Sequence, residues 1–153
     1  MVAEAAVEFI EDGMIVGLGT GSTACWAIQK IGERVSEGLK IKAVATSKAS
    51  ELLAKELKIP LVDLSDIDHV DLTIDGADEV DPDLNLIKGG GGALLREKMV
   101  ATASRELIIV VDETKLVERL GTFPLPVEVV PFGVEFTRRR IEKLGCKTSI
   151  RMR

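Results

Sequence analysis

Short apolar runs alternate with longer amphipathic stretches along this sequence, and that alternation constrains its fold more than any other feature. We predict strands at residues 14–18, 41–45, 70–74 and 107–111. We predict helices at residues 22–37, 47–57 and 93–104, the second of them with Ser47 as its N-terminal cap. Strands that alternate with helices in this way form units around a mostly parallel sheet. The sequence therefore predicts an α/β fold.

The segment at residues 121–126 (GTFPLP) marks a change in the organisation of the chain. Pro124 and Pro126 interrupt both a helix and a central strand. We place a domain boundary here, between residues 1–122 and residues 123–153. The second part is predicted to form a strand, a helix and a strand, at residues 127–130, 133–144 and 148–152. So few elements cannot close a core, and we expect the chain to stop within an incomplete second domain.

Charge and hydropathy exclude several classes of partner. The formal net charge of −5 provides none of the broad positive potential that nucleic acids or anionic lipids require. The longest apolar run, at residues 107–111, is far shorter than the roughly 20 residues of a membrane span. Residues 1–11 carry three glutamates and no basic residue, unlike a secretory signal. We expect a cytoplasmic protein without a nucleic-acid or membrane partner.

A glycine-rich loop at residues 17–23 (GLGTGST) lies directly between a predicted strand and a predicted helix. Glycines let the backbone approach a ligand, and the free N–H groups of the following helix favour an anion. A dinucleotide fingerprint would need glycine where Ser22 or Ala24 stands, and the Gly-Lys ending of a P-loop is missing. The loop is therefore either a small phosphate cradle or a tight turn in which Ser22 or Thr23 caps the helix.

An acidic loop at residues 75–83 (DGADEVDPD) follows the third predicted strand. Its carboxylates are expected at the carboxyl edge of the sheet, where open α/β sheets bind ligands. Five carboxylates within nine residues repel one another, which raises some pKa values. A solvated acidic turn is the alternative. A calcium loop fails, because Leu86 and Gly92 stand where that motif needs glycine and glutamate.

Lys88 introduces a run of four glycines, and the helix that follows carries Glu97. Four consecutive glycines lose much conformational entropy on folding, so their presence indicates that the backbone itself approaches a ligand. Glu97 taken alone has the pattern of a surface glutamate. Its position beside the glycine run makes it a candidate acid/base.

Four motifs, in this order and spacing, resemble those of the type A ribose-5-phosphate isomerases. They are GLGTGSTA at residues 17–24, DGADEVD at 75–81, KGGGGALLREK at 88–98 and FPLPVEV at 123–129. The resemblance covers essentially the whole chain. It implies a Rossmann-like, mostly parallel sheet with helices on both faces, followed by the start of a smaller α+β domain. Family members usually begin earlier, with a phosphate-binding lysine in their first helix, and continue well past Arg153, so the chain resembles a fragment.

The resemblance also implies an activity, which is the interconversion of D-ribose 5-phosphate and D-ribulose 5-phosphate in the pentose phosphate pathway, without cofactor or metal. The proton-abstracting glutamate of the family falls on Glu97. Asp75 or Asp78 would open the sugar ring and move the proton between O1 and O2, and Lys88 would stabilise the negative oxygen. The substrate-binding positions fall on Thr20, Gly21, Ser22, Thr23, Asp75, Gly76, Ala77, Asp78, Lys88, Gly89, Gly90, Gly91 and Lys115. A homodimer or homotetramer is expected.

Two other classes of function stay open at this point. One is a module that senses phosphorylated sugars, which would need the phosphate loop but not Asp75, Asp78, Lys88 and Glu97. The other is a hydrolase that uses the acidic loop with Mg²⁺. Cys25 and Cys146 stand apart without metal-ligand spacing, and we predict that they are buried thiols in a reducing compartment. We predict that Trp26 is a core residue and that His69 has no catalytic role.

Overall fold

A computed structural model describes residues 2–151 of the chain. The described strands are β1 (Ile15–Leu18), β2 (Lys42–Ala45), β3 (Val70–Asp75), β4 (Glu79–Val80), β5 (Leu86–Ile87) and β6 (Ser104–Ile109). The described helices are α1 (Val2–Val7), α2 (Ser22–Ser36), α3 (Lys48–Glu56), α4 (Leu94–Ala103) and α5 (Val134–Glu142). The four predicted strands and three predicted helices of the first part are confirmed, although β6 begins three residues before the predicted start at residue 107.

Four of the strands form one parallel sheet in the order β2, β1, β3, β6. The chain leaves β1 toward β2 on one side, whereas β3 lies on the other side of β1. The loops that follow β1 and β3 therefore diverge and leave a crevice at the carboxyl edge of the sheet, where ligands bind in open α/β folds. This crevice receives both the glycine-rich loop and the acidic loop.

Helices cover both faces of the sheet. On one face, alternate residues such as Val16, Leu18 and Leu72 pack with apolar residues of α1, α2 and α3. On the other face, Val44 of β2 packs in a second cluster with Val100 of α4. Side chains of successive strand residues point to opposite faces, which is why continuous apolar strands supply both cores. The predicted fold class is confirmed in this part.

The start of α3 follows the predicted capping chemistry. Ser47 precedes the helix in an extended conformation, and its hydroxyl oxygen accepts a hydrogen bond of 3.1 Å from the N–H of Ser50. Such a cap satisfies one of the N–H groups that the first turn leaves without a helical partner.

Two short elements were not predicted, α1 and the antiparallel pair of β4 with β5. Each spans six residues or fewer, which is too short for a helical or strand period to stand out. The pair β4 and β5 folds the acidic loop back, so that Lys88 returns to the end of β3.

The predictions for the second part are mixed. The helix is confirmed as α5, within the predicted residues 133–144. The strand predicted at 127–130 is wrong, and the strand predicted at 148–152 is not formed in residues 148–151, while residue 152 lies outside the described residues. Most of these residues are exposed and have no neighbouring strand to pair with. The domain boundary after residue 122 stays a prediction.

Within the described residues, no helix is both long and apolar enough to cross a membrane.

Candidate active site

A cleft of about 120 Å³ opens between the loops that follow β1 and β3. Nearly all of the predicted site residues line it, from four separate stretches of the sequence. They are Thr20, Gly21, Ser22, Thr23, Gly76, Ala77, Asp78, Lys88, Gly89, Gly91, Glu97 and Lys115. Asp75 and Gly90 lie directly behind this lining. The fold therefore brings the predicted residues together at the crevice.

The phosphate loop owes its shape to Gly19 and Asp75. A Cβ atom on Gly19 would lie 2.5 Å from both Asp75 Cα and the Ile74 carbonyl oxygen, so only glycine fits against the end of β3. The residue before α2 is Gly21, which makes no side-chain cap. The alternative in which Ser22 or Thr23 caps this helix is therefore wrong, and both hydroxyls lie at the cleft with the free N–H groups of the first turn.

Asp75 is a buried support for the cleft. Its side chain is 1% exposed, and Oδ1 accepts hydrogen bonds from the N–H groups of Thr20 at 2.9 Å and Gly76 at 2.8 Å. Oδ2 accepts from Lys88 Nζ at 3.0 Å. Asp75 therefore ties the phosphate loop, the acidic loop and the lysine together, and both of its oxygens are engaged within the protein.

Lys88 lies between Asp75 and Glu97 at the cleft. Its Nζ donates to Asp75 and to the Gly76 carbonyl oxygen, and lies 3.7 Å from Glu97 Oε2. The glycine that follows it, Gly89, has φ of 99°, a conformation that side-chain-bearing residues seldom adopt. This turn carries the chain from β5 across the cleft to α4.

Glu97 lies in the first turn of α4 and faces the cleft. It is 6% exposed, and its Oε2 is buried without a hydrogen-bond partner among the described residues. Burial raises the pKa of this carboxyl group above its usual value, and the charges of Asp75 and Asp78 add to the increase. The positive charge of Lys88 opposes it. The chain thus holds a desolvated carboxylate with an unused acceptor atom, as a general base requires.

Asp78 differs from Asp75 in that it lines the cleft. Its Oδ2 accepts a 2.7 Å hydrogen bond from the N–H of Gly90, and a Cβ atom on Gly90 would lie 2.7 Å from Asp78 Oδ1. The second glycine of the run is therefore needed for a close approach to this carboxylate.

The sequence did not predict the structural roles of two glutamates, Glu79 and Glu128. Glu79 is 2% exposed and accepts hydrogen bonds from the N–H groups of Gly121 and Thr122 and from the Thr122 hydroxyl. These bonds lower the pKa of Glu79, with the Thr122 hydroxyl as the largest cause. Glu128 accepts a 3.0 Å hydrogen bond from Leu95 N at the start of α4. Each pair spans more than 30 residues, and no local pattern marks it.

The expectation that crowding raises pKa values in the acidic loop is therefore not met at Glu79. It is not met at Asp81 either, whose pKa is lowered chiefly by the Asn85 side chain. Hydrogen bonds to an ionised carboxylate outweigh repulsion between neighbours there.

His69, Trp26 and the two cysteines lie away from the cleft lining. The prediction that Trp26 is a core residue is wrong, because it is 59% exposed on the outer side of α2. Both cysteines are free thiols, but the prediction that they are buried is wrong, since Cys25 is half-buried and Cys146 is exposed. Within residues 2–151, no group of three or more His, Cys, Asp and Glu side chains could hold a metal ion.

The fold and the cleft define the class of protein, an α/β protein whose cleft joins a glycine-rich loop before a helix to a buried carboxylate. A sequence profile of the family ribose 5-phosphate isomerase A (phosphoriboisomerase A) matches residues 42–153. The chain belongs to the ribose 5-phosphate isomerase A family.

Individual relatives agree with this assignment. The chain is 62% identical over 153 residues to ribose-5-phosphate isomerase A of Bacillus mycoides. The aligned region covers 100% of this chain and 69% of the relative. The solved structure of ribose 5-phosphate isomerase A from Methanocaldococcus jannaschii superposes with a TM-score of 0.95 at 42% identity, over 99% of this chain and 68% of that one.

A second solved structure holds a ligand. It is D-ribose-5-phosphate isomerase in complex with phospho-erythronic acid, which has a TM-score of 0.94 and 42% identity over 99% of this chain and 68% of that chain. The present chain thus spans about two thirds of the length of both solved structures.

Proposed function

We propose that this chain interconverts D-ribose 5-phosphate and D-ribulose 5-phosphate through an enediolate, with Glu97 as the base. The observation that carries the proposed role is the Glu97 carboxylate, which is buried at the cleft with Oε2 unbonded and Lys88 3.7 Å away. A binding module would have no need for a desolvated carboxylate there.

Glu97 would remove the proton from C2 of the open-chain aldose. The electron pair of the C2–H bond forms the C1–C2 double bond, and the carbonyl electrons move onto O1, which gives the enediolate. Glu97 then returns its proton to C1, while a proton moves from O2 to O1. A carboxylate with a raised pKa serves both directions, because it is basic enough to take the proton and acidic enough to give it back.

Lys88 and the N–H groups of the glycine run would stabilise the negative oxygen of the enediolate. Lys88 is held in place by Asp75, so its charge is oriented before the substrate arrives. Donors fixed in this way are worth about 3 kcal/mol each in the transition state.

Asp78 is our candidate for the proton transfer between O1 and O2 and for ring opening. It lines the cleft, whereas both oxygens of Asp75 are engaged by Thr20, Gly76 and Lys88. Asp75 would act by holding Lys88. We thereby propose a division of the two roles that the sequence left open between Asp75 and Asp78.

The phosphate group would lie between the loop at residues 20–23 and Lys115. The loop supplies N–H groups at the start of α2, and Lys115 faces it across the cleft from the turn after β6. Binding energy from the phosphate fixes the reacting carbons near Glu97.

The test of the proposed function is the conversion of ribose 5-phosphate to ribulose 5-phosphate in the presence of EDTA. We expect the same rate with and without the chelator, because the proposed groups are all side chains and backbone N–H groups of the protein. A rate that falls on chelation and recovers on addition of Mg²⁺ would favour the metal-dependent alternative. Binding of phospho-erythronic acid without any turnover would favour the sensor.

The pH dependence of kcat/KM should report the raised pKa of Glu97. The base must be ionised, so we expect kcat/KM to fall as the pH drops through a value above the 4.5 of an ordinary glutamate. Lys88 lowers this pKa, and the Lys88→Met variant should therefore move the acid limb to higher pH. An acid limb at or below 4.5 in the wild-type profile would contradict the proposed environment.

We further propose that the protein works in the cytoplasm as a homodimer or homotetramer, with a phosphorylated sugar as its small-molecule partner. Large apolar side chains that are exposed in the described residues, such as Phe132 at 93% and Leu144 at 84%, support an assembled state. No nucleic-acid or membrane partner, metal or cofactor is proposed.

A further inference from the structure

Two buried hydroxyl residues lie beneath the phosphate loop without lining the cleft. Thr46 directly follows β2 and is 0% exposed, and Ser50 lies in α3 and is 4% exposed. Both contact the loop between β1 and α2 through their side chains. Neither belongs to the motifs that define the cleft.

The hydroxyl protons of these residues can be assigned from their partners. A hydroxyl group has one proton to donate, and a carbonyl oxygen can only accept. Thr46 Oγ1 lies 2.9 Å from the Leu18 carbonyl oxygen and therefore donates to it. The 2.7 Å contact between Thr46 Oγ1 and Thr20 Oγ1 must then use the proton of Thr20.

The same reasoning applies to Ser50. Its Oγ donates to the Gly19 carbonyl oxygen at 2.6 Å. Ser47 Oγ, 2.9 Å away, therefore donates to Ser50. The carbonyl groups of two successive residues of the loop, Leu18 and Gly19, are thus held by side chains from the adjacent strand end and helix.

The assignment leaves Thr20 with no donor for a ligand in this arrangement. Its N–H donates to Asp75 Oδ1 at 2.9 Å, and its hydroxyl donates to Thr46. Although Thr20 lines the cleft, both of its donors are directed into the protein. The hydroxyls of Ser22 and Thr23 and the N–H groups after Thr20 remain for the phosphate.

We propose that Thr46 and Ser50 are positioning residues of the phosphate site, which set the conformation of the loop through Leu18, Gly19 and Thr20. Thr20 acts as the attachment of the loop and not as a phosphate donor. This inference rests on the proposed function, since it assigns a role within the same site.

The test is the Thr46→Val variant, which keeps the shape of the side chain and removes its hydroxyl. We expect KM for ribose 5-phosphate to rise about tenfold, with most of the loss in kcat/KM appearing in KM. A loss of this kind indicates weaker binding in both the ground state and the transition state. The inhibition constant of inorganic phosphate should rise by a similar factor. Thr46→Ser retains the hydroxyl and should restore both constants.

Thr73→Val is the matched control. Thr73 is a buried threonine of β3 whose hydroxyl donates to Ser104 Oγ at 2.7 Å, because Ser104 itself donates to the Val100 carbonyl oxygen. The lost bond is of the same kind but lies on the α4 face, and it is made to Ser104 and not to Leu18, Gly19 or Thr20. This variant should be less thermally stable, as Thr46→Val should be, while KM and the phosphate inhibition constant stay within about twofold of wild type.

The outcomes separate the inference from the proposed function. A wild-type protein without isomerase activity would overturn the proposed function. An active wild type in which Thr46→Val binds phosphate as well as Thr73→Val does would overturn the inference alone. If Thr46→Val does not fold, Ser50→Ala serves instead, with a KM increase of several-fold expected and an unchanged KM as the contrary result.

Discussion

The Glu97→Gln variant is expected to turn over ribose 5-phosphate about 10²- to 10⁴-fold more slowly than the wild-type protein. Glutamine has nearly the same shape and occupies the same buried position, but its amide cannot accept the C2 proton. Affinity for phospho-erythronic acid should stay within a few-fold, because the phosphate loop and Lys115 are unchanged. Steady-state kinetics and calorimetric titration measure the two quantities separately.

The control for this variant is Glu106→Gln on β6, which neutralises an exposed glutamate outside the cleft. Its turnover should equal that of the wild type. If Glu97→Gln retained near wild-type turnover while it still bound the ligand, another group would have to carry the carbon proton.

The same variant has an expected effect on stability. The pKa of Glu97 is higher in the folded state than in the unfolded state. Protonation of this carboxyl group therefore stabilises the folded protein fully below the unfolded-state pKa, and this stabilisation is lost as the pH rises through the folded-state pKa. At neutral pH the ionised Glu97 therefore opposes folding, and Glu97→Gln should unfold at a temperature equal to or above that of the wild type. At acidic pH, where Glu97 is protonated, the unfolding temperature of the variant should no longer exceed that of the wild type.

The Lys88→Met variant is expected to lose stability and activity together. Removing the ammonium group leaves the Asp75 carboxylate, which is 1% exposed, without its charge partner. Breaking a buried ion pair on one side costs about 3 to 5 kcal/mol. Two N–H donors still bind Asp75, so we expect the lower end of that range. Turnover should fall by about 10²- to 10³-fold with the loss of one oxyanion donor.

A second substitution separates these two effects. In the double variant Lys88→Met/Asp75→Asn the buried charge is removed with its partner, while the side-chain oxygen of the introduced asparagine can still accept from Thr20 and Gly76. Denaturant unfolding should show that the double variant recovers stability relative to Lys88→Met, although turnover stays low. Lys98→Met, an exposed lysine of α4, is the control. A double variant no more stable than Lys88→Met would contradict the assigned pair.

The sequence predicted the parts of this protein that depend on local patterns. Apolar runs indicated β1, β2 and β3, and helical periodicity indicated α2, α3 and α4. The glycine-rich and acidic loops follow strands whose carboxyl ends lie at one edge of a parallel sheet, so their meeting could be expected before the structure was known.

The features that were missed depend on contacts between distant residues. Glu79 resembles its acidic neighbours in the sequence, yet it is buried against Gly121 and Thr122. The contact of Thr46 with Thr20 joins the ends of two adjacent strands and has no signature in either segment. The strand predicted at residues 127–130 has the right composition but no partner, and composition alone does not form a sheet.

The most direct test of the central claim follows the hydrogen at C2. Ribose 5-phosphate labelled with deuterium at C2 is converted by the wild-type protein in ordinary water, and the label in the ribulose 5-phosphate formed is measured by NMR and mass spectrometry. A carboxylate that carries the proton can exchange it with water, so we predict that part of the label is lost to the solvent. In the Glu97→Gln variant, conversion and loss of label should both slow by about 10²- to 10⁴-fold. Complete retention of deuterium at C1 in a Glu97→Gln variant that converts the substrate at the wild-type rate would indicate direct hydride transfer and would contradict the account.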